Sequence, residues 1–465
     1  MNFGGLIFLL VCHYLSGRGV LRLFKIALAP LPAFCVAMMV GVPVISFGPC
    51  ILQLLHIPID AQSVTITAAV MGALHAIPLF VPFRRPRFKF NLPQLYQVPF
   101  LLVITALVLI SVWRCYYYPT YARDMLSGPE LIAEYTVREK TMINSVFTID
   151  LHTTNNHFKS PYITTLQVIY KLLVHPFGGL WLSVLFVSFM IWLYTLVKER
   201  IHPVLAGFLL FLFISTPELY AYTYLVLYDY SNMVLFFCGF YFLVRYTDEY
   251  KANQLLFAAF LFGIATYIRA ETLMLVAMIV PLLLVYLYKD KMPKQGIVKV
   301  ALFMAVPVFF YVLCIHVFVR LFVPVPFDVG GQMNQDLGNI SVFFHRLLEV
   351  QSPLIFSRGG LLVFGFFIPF FYAVLLVDLA WQRKFSRESV IMLYGIAVVM
   401  IGLPFISYLF PLADLYNTTK RGLFKMLPLM LIYLANSSTL QRLSELIKKW
   451  EFSMPKKSTK AYKHT

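Results

Sequence analysis

Apolar runs of about 20 residues, the length a helix needs to cross hydrocarbon, recur from one end of this chain to the other and leave few other folds open to it. On that criterion the sequence predicts about thirteen spans, near 3–15, 27–50, 63–82, 98–114, 178–197, 203–217, 231–246, 254–268, 272–288, 298–320, 359–382, 389–411 and 421–437. A mean hydropathy of +0.78 with 13% charged residues in 465 positions excludes an ordinary soluble protein. The expectation is an all-α polytopic membrane protein, its first short span tilted or only partly inserted.

Cations then set an orientation. The segments around 16–26, 83–97, 198–202, 245–253, 289–299, 383–388 and the tail after 441 fall on one side. They hold 25 of the 38 Lys and Arg and, with Asp378 near a span end counted on the same side, 8 of the 21 acids, so the whole net charge of +17 lies on that face. By the positive-inside rule that face is cytoplasmic. The N-terminus is then outside, the C-terminus cytoplasmic, and the setting a bacterial-type inner (plasma) membrane. Met1–Leu10 lacks a charged leader and reads as a span, not as a removable signal peptide. The tail cations Lys448, Lys449, Lys456, Lys457, Lys460 and Lys463 read as topology determinants near anionic lipid, with no nucleic-acid motif behind them. The six cysteines show no CxxC spacing and read as small buried hydrophobes.

The chain divides into N-terminal transmembrane helices (1–97), a transmembrane core (98–440) with long loops near 115–177 and 322–358, and a basic tail (441–465). Segments Tyr162–Val174 and Ile340–Val350 carry apolar stripes at helical spacing and are expected to lie in the membrane interface, Lys171 at a polar edge. Loops of this length are commonly functional. The first is rich in ionisable groups: Arg123, Asp124, Glu130, Glu134, Arg138, Glu139, Lys140, Asp150, His152, His157 and Lys159. The expected topology adds Glu218, Asp229, Arg269, Glu271, Lys420 and Arg421 on the same face. Ionisable groups at a bilayer edge are costly and generally pair or serve function.

Five ordered pieces carry a resemblance. They are Tyr121-Ala122-Arg123-Asp124; Lys159-Ser160-Pro161-Tyr162; Tyr228-Asp229 opening a span; Gly263 to Arg269-Ala270-Glu271; and Lys420-Arg421-Gly422-Leu423-Phe424-Lys425. Over roughly residues 100–437 the order and topology resemble the GT-C class of integral-membrane glycosyltransferases. Within it the likeness is to the polyprenyl-phosphate-sugar-dependent enzymes of the protein mannosyltransferase and aminoarabinose transferase group. The resemblance implies an inverting transfer of a sugar from a polyprenyl-phosphate carrier to an extracytoplasmic acceptor, a cell-envelope glycan or lipid.

It makes Asp124 the catalytic general base. Arg421, Lys420 and Arg269 stabilise the leaving phosphate, and Glu271, Asp229, Lys159 and His157 contribute to substrate binding. Many relatives carry paired acids in the first loop. Here Asp124 stands between Arg123 and Met125, so a second acid has to come from Glu130, Glu134 or Asp150. No metal or other cofactor is assigned. Three spans ahead of the fourth also exceed the simplest family layout. The expected partners are the lipid-linked sugar and membrane lipid. The alternatives are a lipid-linked glycan flippase or transporter, and an O-antigen-type polymerase.

Overall fold

The computed structural model describes residues 2–80, 97–148, 159–289, 293–323, 333–334, 338–382, 385–410 and 415–453. Among these residues every regular element is helical. Seven helices are long and apolar enough to cross a membrane: Phe3–Leu23, Pro30–Leu54, Ala61–Phe80, Val98–Tyr117, Leu180–Lys198, Gly296–Phe322 and Arg387–Leu409. Two bent pairs, Ile340–Phe356 with Arg358–Phe364 and Lys420–Asn436 with Ser438–Glu451, raise the number to nine if each is one span. Other segments expected to cross are shorter helices: Pro203–Ile214, Ala252–Ile268, Thr272–Leu287 and Phe367–Trp381. Helix Tyr228–Glu249 is long enough but carries Asp229, Arg245, Asp248 and Glu249.

The first helices pack through glycine, as helices in lipid do where close backbone approach replaces hydrophobic drive. A Cβ on Gly17 would stand 1.7 Å from the Ala37 carbonyl oxygen, and one on Gly41 would stand 1.8 Å from that of His13. Phe3–Leu23 and Pro30–Ile45 are thereby locked backbone to backbone. The second of these also packs on Leu180–Lys198, which ties the N-terminal helices to the rest. All six cysteines are free and buried.

The segments grouped by charge meet one another in space. Arg245 donates to the Ala27 carbonyl at 3.3 Å and Asn253 to that of Phe24 at 3.0 Å. Arg200 pairs with Glu388 at 2.7 Å, Arg387 reaches the Thr247 carbonyl at 2.7 Å, and the His202 amide donates to Ser444 at 2.8 Å. These residues share one end of the bundle. The site lies among the loops and helix ends that turn back at the other.

The two stripes expected at the interface differ. Helix Ile340–Glu349 keeps Ile340, Phe344 and Leu348 exposed, as an interfacial helix requires. Helix Tyr162–Leu173 is instead covered on nearly every side. Its polar face is satisfied internally: Gln167 donates to Glu130 at 2.6 Å and accepts from Trp181 at 3.2 Å. Lys171 pairs with Glu130 at 2.7 Å and Glu134 at 3.2 Å. The apolar stripe therefore faces protein, and helix Pro129–Glu139 lies over the polar side.

Replacing Gly41 by Leu should drive the first two helices apart at a cost of about 3 kcal/mol or more. The measurement is thermal unfolding in detergent, where the variant is expected to melt several degrees below wild type; an unchanged midpoint would refute the close packing.

Candidate functional site

Asn232 sets the geometry from below. Its amide nitrogen donates to the Ala265 carbonyl at 2.6 Å and to Thr272 Oγ1 at 3.0 Å. This pins helix Tyr228–Glu249 to the end of Ala252–Ile268 and the start of Thr272–Ala277. Residues three apart share a helix face, so Asp229 is carried to the break between those two helices. There the backbone of Arg269 turns extended, and its guanidinium donates to Asp229. The same guanidinium engages both oxygens of Glu271, Nε to Oε1 at 2.9 Å and Nη2 to Oε2 at 3.1 Å.

Lys425 completes this group. It is 1% exposed and its nearest acid is Glu271, with Nζ 3.8 Å from Oε1. Two cations and two carboxylates thus share one buried network of zero formal charge. Lys425 was not singled out from the sequence, though the signal was there: four residues after Arg421 is one helical turn on the same face.

Asp124 occupies the one-turn helix Arg123–Leu126. Met125 is fully buried and the Ser127 hydroxyl donates to the Arg123 carbonyl at 2.8 Å. Arg123 points to solvent while Asp124 turns inward. Its partner is not the adjacent Arg123 but Arg421, whose Nη1 donates to Oδ2 at 2.6 Å. The hydrogen bond from Arg421, with further help from its charge and from Lys159 and Arg123, holds the Asp124 carboxyl below its usual range.

The remaining expected residues divide. Lys159 lies 5.9 Å from the centre of the Tyr228 ring, and Tyr228 donates its hydroxyl to the Ser160 carbonyl at 2.8 Å. Although exposed, Lys159 is drawn below the usual lysine pKa by partial desolvation first and by repulsion from Arg269 next. Lys159 also interacts electrostatically with Asp229, Asp124 and Arg421, members of both ion-paired groups. Among the described residues no carboxylate lies within ion-pair distance of it. Lys420 turns away and pairs with Glu218 at 2.9 Å. Glu130 and Glu134 are taken up by Lys171 and Gln167. His157, His152 and Asp150 lie outside the described residues.

Next to Lys159 is a mostly apolar hollow lined by Ile132, Phe147, Tyr228, Phe318 and Phe322. The site therefore offers a carboxylate at a half-open ion pair, a second cation without a carboxylate partner among the described residues, and an apolar wall. Among those residues no group of three His, Cys, Asp or Glu side chains is placed to hold a metal.

No family model, curated protein or solved structure matches the chain.

Removing Lys425 as Lys425→Met leaves Glu271 and Asp229 with one cation too few, which should cost about 3–5 kcal/mol. Glu271→Gln in the same chain restores the balance, and the double variant is expected to recover about 1–3 kcal/mol of that loss. Additive losses in detergent unfolding would show that the two side chains are not coupled.

Proposed function

We propose that the protein is a membrane glycosyltransferase of the GT-C type, moving a sugar from a polyprenyl-phosphate carrier to an extracytoplasmic acceptor. The observation that carries this reading is the Asp124–Arg421 pair at 2.6 Å, with Lys159 beside it and the apolar hollow adjoining. In this reading thirteen crossings are reached if Pro203–Ile214, Tyr228–Glu249, Ala252–Ile268, Thr272–Leu287, the 358–381 stretch and Lys420–Asn436 join the seven long helices. The N-terminus then lies outside and the C-terminal tail in the cytoplasm, as the cation distribution requires.

The step balances as a single displacement. The acceptor hydroxyl oxygen attacks the anomeric carbon, the bond from that carbon to the phosphate oxygen breaks, and the hydroxyl proton passes to the Asp124 carboxylate. The departing phosphate keeps the bonding pair, and its charge falls on Arg421 and Lys159. One displacement inverts the anomeric centre.

Arg421 suits the phosphate because it gives up one carboxylate to receive another anion. Arg269 does not, since Asp229 and Glu271 already occupy its fork. Arg269, Glu271 and Asp229 therefore shape the floor of the site, and Lys420 braces its rim through Glu218.

The test is turnover of a purified preparation with a polyprenyl-phosphate sugar. Asp124→Asn should lower kcat by about 10²–10⁴-fold, and retained turnover would remove Asp124 as the base. The pH profile gives an independent check. A base with a depressed pKa stays ionised as pH falls and is lost only below the ordinary aspartate value of 3.8. The acidic limb of kcat/KM, which reports the free enzyme, should therefore lie below that value in wild type. In Arg421→Gln the main cause of the depression is gone, so the limb should move to higher pH. A limb that does not move would mean that Arg421 does not set the ionisation of the base.

A further inference from the structure

We propose that Arg114 holds the phosphate of an anionic membrane lipid, at a site separate from the Asp124–Arg421 pair. Arg114 lies in the last turn of helix Val98–Tyr117. Its guanidinium sits between two tyrosine rings, 5.2 Å from the centre of Tyr118 and 4.8 Å from that of Tyr224. Tyr224 is brought there by its neighbour: Thr223 Oγ1 and Ser111 Oγ are hydrogen-bonded at 2.7 Å, which ties that turn to the same helix one turn earlier.

Aromatic rings cover the flat faces of a guanidinium and leave its N–H edge. Among the described residues that edge meets no acceptor. Among the described residues no carboxylate lies within ion-pair distance of Arg114 and no hydrogen bond leaves it. Its Nε is buried without a partner. Arg114 opens instead on a small surface hollow lined by Pro119, Thr120, Tyr121 and Phe177. A buried N–H donor left without an acceptor is costly, and an oxyanion taken bidentately by the fork would satisfy it.

The helix itself indicates where that oxyanion comes from. Leu102, Leu109, Trp113 and Tyr117 form an exposed stripe along it that ends beside the hollow. An apolar chain laid on this stripe puts its headgroup at Arg114, whereas free phosphate would make no use of the stripe. Interfacial tryptophan and tyrosine at that level are what a headgroup boundary selects. The site requires no transferase activity, so its fate is independent of the reading above.

The experiment is native mass spectrometry of the delipidated protein in detergent with phosphatidylglycerol, phosphatidylcholine or inorganic phosphate, comparing wild type with Arg114→Gln. Phosphatidylglycerol retention should fall about tenfold in the variant, the loss of one or two charged hydrogen bonds, with phosphatidylcholine unaffected. Equal phosphatidylglycerol retention by the two proteins would overturn the proposal. Inorganic phosphate displacing phosphatidylglycerol at matched concentration would overturn the lipid as its source. If Arg114→Gln does not fold, Arg114→Met, which keeps an apolar stem between the tyrosines, decides on the same readout.

Discussion

A charge carried into an apolar bundle must bring its countercharge with it, and the Arg269 break is where this protein meets that demand. Asp229 is 4% exposed and Lys425 1%; neither could stand there alone. Held together with Arg269 and Glu271 they sum to zero, at a desolvation cost that the mutual attraction and hydrogen bonds offset. Four chain segments meet at this point. The interruption between Ala252–Ile268 and Thr272–Ala277 is tolerable because the Arg269 amide still donates to the Ala265 carbonyl at 3.0 Å and the Thr272 amide to that of Arg269 at 3.0 Å. The backbone near the break is thus satisfied locally, and its side chain becomes the hub.

At the opposite end of the bundle Asp378 meets the same demand with neutral donors. Asp378, 2% exposed, accepts from Tyr433 at 3.0 Å, from the Thr439 hydroxyl at 2.6 Å and amide at 3.1 Å, and from Ser438 at 3.2 Å. Hydroxyls and an amide fix this carboxylate in place, and among the described residues no cation pairs with it. Between the ends the packing is aromatic, with Phe236, Phe240 and Phe262 in mutual edge contact at 5.1–5.6 Å between ring centres. Edge-to-face rings hold helices in register without polar groups, so the ionic machinery stays at the ends.

Hydropathy made the helical, membrane-type architecture legible, because apolar runs of this length leave little else. It did not fix how many helices are long enough to cross. Pro203–Ile214 runs for 12 residues, and composition does not register where a helix stops. Charge segregation was legible for a related reason: Arg200, Arg245 and Arg387 fall at turns, and turns at one end meet. The stripe on Tyr162–Leu173 misled, because a moment says that two faces differ and not what covers either. Gln167 and Lys171 find acids thirty-odd residues upstream, which periodicity does not contain. Within the site, Asp124 and Arg421 could be named singly, but their pairing spans 297 positions and comes only from the fold. A wide π turn at Leu415–Thr419 immediately precedes Lys420 and resets the phase of the following helix. Lys420 and Arg421 then follow one another in the short helix Lys420–Gly422, where successive side chains leave about 100° apart, so one goes to Glu218 and the other to Asp124.

Unequal coordination then separates the roles of otherwise similar cations. Arg269 spends its fork on two carboxylates in a nearly dry setting, where removing either leaves an uncompensated charge. Arg421 has a single short bond in a setting with 22% of its side chain and 36% of Asp124's open to solvent. There water can solvate the Asp124 carboxylate, so in the proposed reading Arg421 can turn to an incoming anion without leaving a dry, bare charge behind. The exchange also changes Asp124: losing its strongest hydrogen-bond donor returns the carboxyl toward ordinary basicity. Under the proposed function, an anion reaching Arg421 would thus prepare the carboxylate beside it, in the same movement that seats the anion.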